Sequence, residues 1–401
     1  MVATPRARSE PGAPGGGAPP AAPAAVVVGA GRRAVGAVTG PVVGAVTGRA
    51  AVLDVAQLLA HARRRELALA VAGCVALVLV LIAGVGLGEV VIPPADTIAI
   101  LAHRLLGWPV AHGWSAADET IVLQLRLPRV IAAMAVGASL ALAGTALQGL
   151  LRNPLADPYV LGTASGAALG AALGVVIPLP GMVLGFGLLQ VLAFAGALGA
   201  VLLVYRLSRA GQLASMTGVL LTGYAVSSLL AAGLAITMWL SGDGLRQIFY
   251  FLLGSFDGVA WPQVAAAAVP LLAGGVVLLT RGRALNALLL GEETAAHLGL
   301  DVRRERVVLL AATSLVTAAS VAIAGLIGFV GLVVPHVVRL VVGPDGRAVL
   351  PLSAIWGAAF LAACDLLARI PGDIPVGVVT ALVGAPFFLW ILRRAHSGYE
   401  L

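Results

Sequence analysis

The sequence predicts an all-α membrane protein that crosses the bilayer many times. Of its 401 residues, 60% are hydrophobic and only 11% are charged. A soluble globular chain averages roughly 45–50% apolar and about 25% charged residues. Apolar runs of the length that a membrane helix needs, about 20 residues, follow one another from Leu67 onward. Composition and run length therefore both exclude an ordinary soluble enzyme.

Ten apolar runs, separated by Gly, Pro and charged residues, predict ten membrane-spanning helices. They cover residues 67–87, 130–151, 159–177, 183–205, 216–240, 264–280, 307–327, 331–342, 350–367 and 376–392. An even number of spans places both termini on one side of the membrane. We expect a transmembrane domain over residues 66–394, followed by a short C-terminal segment, 395–401.

Residues 1–65 are predicted to form a disordered tail. Their first 25 residues are rich in Pro, Gly and Ala and cannot bury enough apolar surface to fold. A short repeat, GAVTG at 36–40 and again at 44–48, is too rich in Gly for a stable spanning helix. Most of the excess positive charge lies here, with eight Arg against two acidic residues.

The distribution of Arg predicts the orientation of the spans, because short cytoplasmic loops are enriched in basic residues. The side of the termini carries Arg63, Arg64, Arg65, Arg152, Arg206, Arg209, Arg281, Arg283, Arg303, Arg304, Arg306, Arg347, Arg393 and Arg394. Both termini are therefore expected in the cytoplasm. The opposite side keeps Arg104, Arg126, Arg129, Arg246 and Arg369. These five act against the trend and require another role.

An internal echo, offset by 181 residues, relates the second span to the seventh. Residues 141–144 (ALAG) with Pro154 match residues 322–325 (AIAG) with Pro335. Five spans separate the two copies, so they run in opposite directions. The echo predicts an inverted repeat, which is a common architecture of transporters.

The apolar spans could form a transport pathway, but the sequence contains no recognisable site for ATP binding, metal binding or catalysis. It contains no Lys, which excludes the phosphate-binding Lys of a P-loop. No His, Cys or acidic cluster has the spacing of a metal site, and we expect no cofactor and no enzymatic activity. Inside the spans only His336 and Asp365 could move protons. Asp365 is predicted to be a helix-end carboxylate beside Arg369, one turn on.

The loop at about 283–302 is predicted to form two short helices broken at Gly291 and Gly299, with acidic residues at the start of the second. Such a pair could dock into a partner's groove or simply connect two spans, and the residues leave both open. In the segment 153–158 (NPLADP), a helix is expected to stop and the next to start, with Asp157 capping.

Four motifs are distinctive in combination: residues 125–129 (LRLPR), 148–158 (QGLLRNPLADP), 325–336 (GLIGFVGLVVPH) and 374–388 (IPVGVVTALVGAPFF). In this order they resemble the FecCD-type permeases of ATP-binding-cassette (ABC) importers for iron-siderophore, haem and cobalamin. The resemblance covers about residues 67–394. It implies a permease dimer with two separate ATPase subunits on one side and a substrate-binding protein on the other.

The resemblance also implies roles for individual residues. The helix pair resembles the family's coupling helices, and the positions carried over for ATPase contact are Gly291, Glu293, Ala295, Ala296 and Gly299. The positions that match arginines docking the binding protein are Arg126, Arg129 and Arg369. Small or helix-deforming residues expected in movable pathway walls are Gly377, Thr380, Gly384 and Pro386.

We therefore predict a permease subunit in the bacterial plasma membrane that moves a bulky chelate while partner ATPases alternate its openings. A ferric siderophore is the expected cargo, because it is the commonest in the family; cobalamin and haem are the alternatives. No nucleic-acid partner is expected. A rival of a different class is an ion-coupled secondary transporter that depends on Asp365, and a second rival is a membrane scaffold without a pathway.

Overall fold

The computed structural model describes residues 49–88, 90–108, 113–177, 182–183, 185–210, 216–370 and 372–396, and these are almost entirely helical. The helices are α1 (Arg49–Gly86), α2 (Pro94–Leu106), α3 (Ala116–Thr120), α4 (Leu127–Leu150), α5 (Thr163–Val176), α6 (Leu188–Ala210), α7 (Met216–Leu240), α8 (Leu245–Leu253), α9 (Trp261–Thr280), α10 (Gly282–Leu289), α11 (Glu292–His297), α12 (Val302–Ala324), α13 (Val330–Val342), α14 (Gly346–Arg369) and α15 (Val376–His396). A π-helix (Ile121–Arg126) joins α3 to α4, and 3₁₀ helices cover Pro158–Leu161 and Gly242–Gly244. Strands β1 (Met182–Val183) and β2 (Phe186–Gly187) form a short antiparallel pair.

All ten predicted apolar runs contain a helix, which confirms the polytopic fold class. In the described residues, seven helical segments are long and apolar enough to cross a membrane: Ala60–Gly86, Ala116–Leu150, Leu188–Ser208, Gly218–Leu240, Trp261–Thr280, Val302–Ala324 and Gly346–Arg369. The third, eighth and tenth predicted spans are shorter apolar helices. At 1.5 Å per residue a 14-residue helix such as α5 is about 21 Å long, less than the hydrocarbon thickness of about 30 Å.

The chain divides after Ala60 into two units, of which the second is His61–Leu401. In the first unit the described residues form the start of α1, which begins at Arg49, inside the predicted tail. The rest of the predicted tail lies outside the described residues. The second unit contains the remaining helices, and its last helix continues through His396 into the predicted C-terminal segment.

Helix α4 is the central element of the second unit and is buried along most of its length. Glycines allow its backbone to touch two neighbours. A Cβ on Gly137 would lie 2.2 Å from the carbonyl oxygen of Gly357 in α14, and one on Gly144 would lie 1.8 Å from that of Gly331 in α13. Such contacts between small residues are the usual way in which membrane helices approach closely.

Between α12 and α13 the helix is broken over residues 325–329. Gly325 and Phe329 both have left-handed backbone angles, with φ of +68° and +69°. The hydroxyl of Tyr159 donates to the carbonyl of Ile327 (3.1 Å) and accepts from its amide (3.2 Å). Irregular backbone at membrane depth needs such internal partners, since lipid offers none.

The two copies of the internal echo differ in local structure. Gly144 lies within α4, whereas Gly325 ends α12. Pro154 follows α4 in a turn, and Pro335 lies inside α13. The sequence match therefore does not extend to local conformation, and an inverted relation between the two halves stays a prediction.

Candidate functional site

The predicted helix pair is present as α10 and α11. Gly291 separates them with φ of +110°, and Gly299 follows α11 with φ of +86°. Both are conformations that residues with a side chain rarely adopt, which explains glycine at these breaks. Glu292 and Glu293 occupy the first turn of α11, where carboxylates interact favourably with the helix dipole.

Three of the five residues carried over for ATPase contact, Glu293, Ala296 and Gly299, are exposed, and Gly291 is half-buried. Ala295 is fully buried and packs in the main hydrophobic core. It therefore anchors α11 to the protein rather than facing outward.

Sequence reasoning missed two leucines on this surface. Leu290 and Leu298, each directly before one of the two glycines, are 65% and 66% exposed. The available signal was an apolar residue at a helix break, outside any membrane span. With Glu293 and Ala296 they form a surface that we call the loop surface, and it is apolar with an acidic edge.

Ion pairs fix the helix pair to the start of α12. Arg306 Nη2 lies 2.5 Å from Glu292 Oε1, and Arg281 Nη1 lies 2.7 Å from Glu305 Oε1. The side chain of Asp301 caps α12 by accepting from the amide of Arg304. The helix pair is thus attached at both ends to membrane-spanning helices.

A second group of charged residues lies where α4 begins and α14 ends, away from the helix pair. We call Arg126, Arg129 and Arg369, together with Asp365, the arginine cluster. Arg126 and Arg129 are close in sequence and Arg369 is far from them, and all three line one cavity of about 450 Å³. Arg126 is 9% exposed and donates to three main-chain carbonyls, those of Val85, Gly86 and Val90, at 2.5–3.0 Å. Its guanidinium holds together the end of α1 and the start of α4.

Asp365 is fully buried between two arginines. Its Oδ1 accepts from Arg129 Nε at 3.1 Å, and its Oδ2 lies 3.3 Å from Arg369 Nε. The predicted position beside Arg369 is confirmed, and the second partner, 236 residues away in sequence, was missed. Arg129 also lies 3.0 Å from Asp373 and 4.0 Å from Asp257, both of which are largely exposed.

The group Gly377, Thr380, Gly384 and Pro386 lies on α15, against the broken segment and the end of α8. A Cβ on Gly377 would lie 2.1 Å from the carbonyl oxygen of Leu253, and one on Gly384 would lie 2.4 Å from Phe329 Cβ. Thr380 is buried and donates to the carbonyl of Gly377. Gly377 and Pro386 line an apolar cavity of about 500 Å³.

Two smaller sequence predictions can be compared with the structure. Asp157 caps as predicted, because its side chain accepts from the amide of Tyr159 at 2.8 Å; burial raises the pKa of this carboxyl. His336 packs edge-on against Phe387, as expected for a packed imidazole. Among the described residues, no group of three or more His, Cys, Asp or Glu could hold a metal ion.

The described residues form a bundle of apolar helices with a small helix pair between two spans, which is the architecture of a polytopic membrane protein. The chain belongs to the FecCD transport family, whose family model matches residues 76–394. It is thus an ABC importer permease, and the resemblance of its four motifs is confirmed. In this family the ATPase is a partner subunit, and a substrate-binding protein completes the importer.

Named relatives cover most of the domain. The cobalamin import system permease protein BtuC of Halobacterium salinarum is 46% identical over 301 residues, 75% of this chain and 79% of the relative. The hemin transport system permease protein HmuU of Yersinia pestis is 41% identical over 69% of this chain and 84% of the relative. A solved inward-facing, metal-chelate type ABC transporter is 30% identical, with a TM-score of 0.68 over 80% of this chain and 98% of that chain.

Proposed function

We propose that this permease imports a metal-containing chelate of the cobalamin class, driven by two ATPase subunits that dock on the loop surface. The observation that carries the docking is the exposure of Leu290 and Leu298 beside the glycine breaks at 291 and 299. An exposed apolar patch marks an interaction site, and a partner that covers these two leucines would remove the patch from water.

The cargo is proposed from the named substrates of similar permeases. A ferric siderophore was expected from the sequence, and it stays a candidate, as does haem. Cobalamin is favoured here because relatives at 46% and 43% identity are named for cobalamin or vitamin B12 import. The test is uptake of radiolabelled cobalamin, ferric siderophore and haemin by cells with and without this gene. Loss of cobalamin uptake alone supports the proposal, and loss of another cargo alone assigns that cargo instead.

We propose, from the distribution of arginines, that α10 and α11 lie in the cytoplasm together with both termini. A cysteine introduced at exposed Glu293, after replacement of Cys74 and Cys364, reports this directly. We expect labelling by an impermeant maleimide in inverted vesicles but not in intact spheroplasts. The reverse pattern would contradict the proposed orientation.

Docking of the binding protein at the arginine cluster stays a proposal, and the contacts rank its members. Arg126 and Arg369 are 9% and 8% exposed and are held within the chain. Arg129 is different, because two of its partners, Asp257 and Asp373, are exposed enough to exchange for carboxylates of a second protein. We expect Arg129→Gln to weaken binding-protein affinity at low salt, and Arg246→Gln, an exposed arginine of α8, to leave it unchanged. Equal affinity for both variants would reject the role of Arg129.

We also propose a second permease subunit, identical or homologous, as the partner that completes the pathway. Leu382, Leu389 and Trp390 on α15 are 70%, 60% and 48% exposed and lie on the same helix as Gly377 and Gly384. An apolar face beside the small-residue group suits a pathway shared between two copies. Cross-linking of cysteines introduced at these positions, in the assembled importer, tests the contact.

A further inference from the structure

One side chain, Asn286 of α10, joins the helix pair to the turn between α13 and α14. Its Nδ2 donates to Asp345 Oδ1 at 2.7 Å, and its Oδ1 accepts from the amide of Gly346 at 2.7 Å. Asp345 is the N-cap of α14 and also accepts from the amide of Arg347. Asn286 therefore bonds both to the cap of α14 and to its first residue.

Main-chain contacts make this junction rigid. A Cβ on Gly282 would lie 2.9 Å from Arg347 Cα, and one on Gly346 would lie 2.9 Å from the carbonyl oxygen of Gly282. Backbones that approach this closely have little freedom to slide. A displacement of α10 must therefore be followed by the start of α14 or must break the Asn286 bonds.

The turn of residues 343–345 also ends α13, so the same junction controls the position of that helix. Near this end Arg339 is bonded to the side chain of Gln148 and to the carbonyl of Thr145 in α4. At its other end Phe329 packs against Gly384 of α15. At 13 residues, α13 is about 20 Å long, and it connects the α10 junction to the small-residue group.

We propose that Asn286 is a positioning residue that transmits movement of α10 through the α13–α14 turn to Phe329 and α15. The inference rests on the proposed docking of ATPase subunits on the loop surface, and it adds the route by which docking reaches the pathway. Coupling of this kind needs an element with two arrangements that both sites bias. We assign this role to helix α13, because it is tethered at the junction and follows the break at residues 325–329.

The experiment uses the full importer in nanodiscs, with a cysteine introduced at Leu382, on the α15 face proposed to meet the second permease subunit, in a protein whose native cysteines are replaced. Maleimide labelling is compared without nucleotide and after trapping with ATP and vanadate, alongside the ATPase rate. We expect Asn286→Ala to keep the ATPase rate within about twofold while the nucleotide-dependent change in labelling falls about tenfold. A tenfold effect corresponds to about 1.4 kcal/mol, the range of the hydrogen bonds that are lost.

Variants of the bonding pair separate transmission from folding. Asn286→Asp places two carboxylates against each other and should behave like Asn286→Ala. In Asp345→Asn an oxygen can still accept from both Asn286 Nδ2 and the amide of Arg347, so this variant keeps the bond and the N-cap while it removes the charge that pairs with Arg347. We expect Asp345→Asn to keep the labelling change. Loss of the change in Asp345→Asn, or an unchanged response in Asn286→Ala, overturns the proposal.

Leu298→Asp distinguishes failure of this inference from failure of the proposed docking. If Leu298→Asp releases the ATPase subunits while Asn286→Ala retains the full labelling response, docking stands and the Asn286 route is wrong. If Leu298→Asp keeps the subunits bound and coupled, the docking proposal itself is wrong. Absence of any nucleotide-dependent labelling change at Leu382 in the parent protein would also overturn the Asn286 route.

Discussion

Asp365 provides the sharpest test of how the arginine cluster works. Replacement with Asn keeps the size of the side chain but removes the negative charge that faces Arg129 and Arg369 at 3.1 and 3.3 Å. Asp365 is fully buried and the arginine side chains are only 12% and 7% exposed. The Arg369 guanidinium would therefore remain buried without its ion-pair partner, whereas Arg129 would keep Asp373 at 3.0 Å.

Removal of one partner from a buried ion pair costs about 3–5 kcal/mol, because the other charge stays desolvated. We expect Asp365→Asn to destabilise the purified permease by about that amount. Asp257→Asn is the matched control, since Asp257 is 78% exposed and 4.0 Å from Arg129. An exposed pair contributes about 0–1 kcal/mol, so this control should match the parent protein.

The assay is denaturant unfolding in detergent micelles, followed by tryptophan fluorescence and by the monodisperse fraction on gel filtration. Equal stability of the Asp365→Asn and Asp257→Asn variants would refute the structural role. A stable Asp365→Asn protein that assembles but has lost transport would favour the ion-coupled alternative, in which this carboxylate carries the coupling ion.

Three other predictions concern the helix pair and the core. Replacement of Gly299 with Val should uncouple ATPase activity from transport, because a φ of +86° strains a β-branched residue by about 1–3 kcal/mol. Asn tolerates this conformation better, so Gly299→Asn should have a milder effect. Equal coupling in the two variants would contradict the reasoning. Gly144→Ala should prevent stable folding, because its Cβ would lie 1.8 Å from a carbonyl oxygen. Gly275→Ala should be tolerated, because the nearest atom to its Cβ would lie 3.7 Å away. The yield of monodisperse protein on gel filtration measures both outcomes. Hydrogen bonds from Arg347, with further ones from Asn286, lower the pKa of Asp345 from 3.8 to about 2. Since the folded-state pKa is the lower one, the stability that this carboxylate adds is fully present above about pH 4 and is lost as pH falls toward 2; Asp345→Asn should remove that part of the acid dependence, and identical acid unfolding profiles would contradict it.

The sequence predicted the helices well because membrane burial imposes one simple rule, long apolar runs, on every span. It missed α2 and α8, which are short, and it overestimated the length of α5, because hydropathy does not reveal whether an apolar run crosses the whole bilayer; the short α13 was predicted with nearly its observed bounds. The break at residues 325–329 is stabilised by Tyr159 from another part of the chain. A partner of that kind leaves no local signal.

The candidate site, too, was predicted only where the signal is local in sequence. Gly291 and Gly299 mark helix breaks through local backbone conformation, so their place could be read directly. The pairing of Arg129 with Asp365 depends on the antiparallel packing of α4 and α14, which spacing in sequence does not reveal. Ala295 was assigned outward with its neighbours, but on a six-residue helix successive residues face different directions, and Ala295 faces the core.

We propose that ATP hydrolysis on partner subunits drives transport through this chain. The most direct measurement is uptake of radiolabelled cobalamin by cells that express the importer, either with an ATPase subunit inactivated at its P-loop lysine or with a protonophore added under conditions that maintain ATP. We expect the inactive ATPase to abolish uptake and the protonophore to leave it largely intact. Uptake that survives loss of the ATPase and disappears with the protonophore would contradict it.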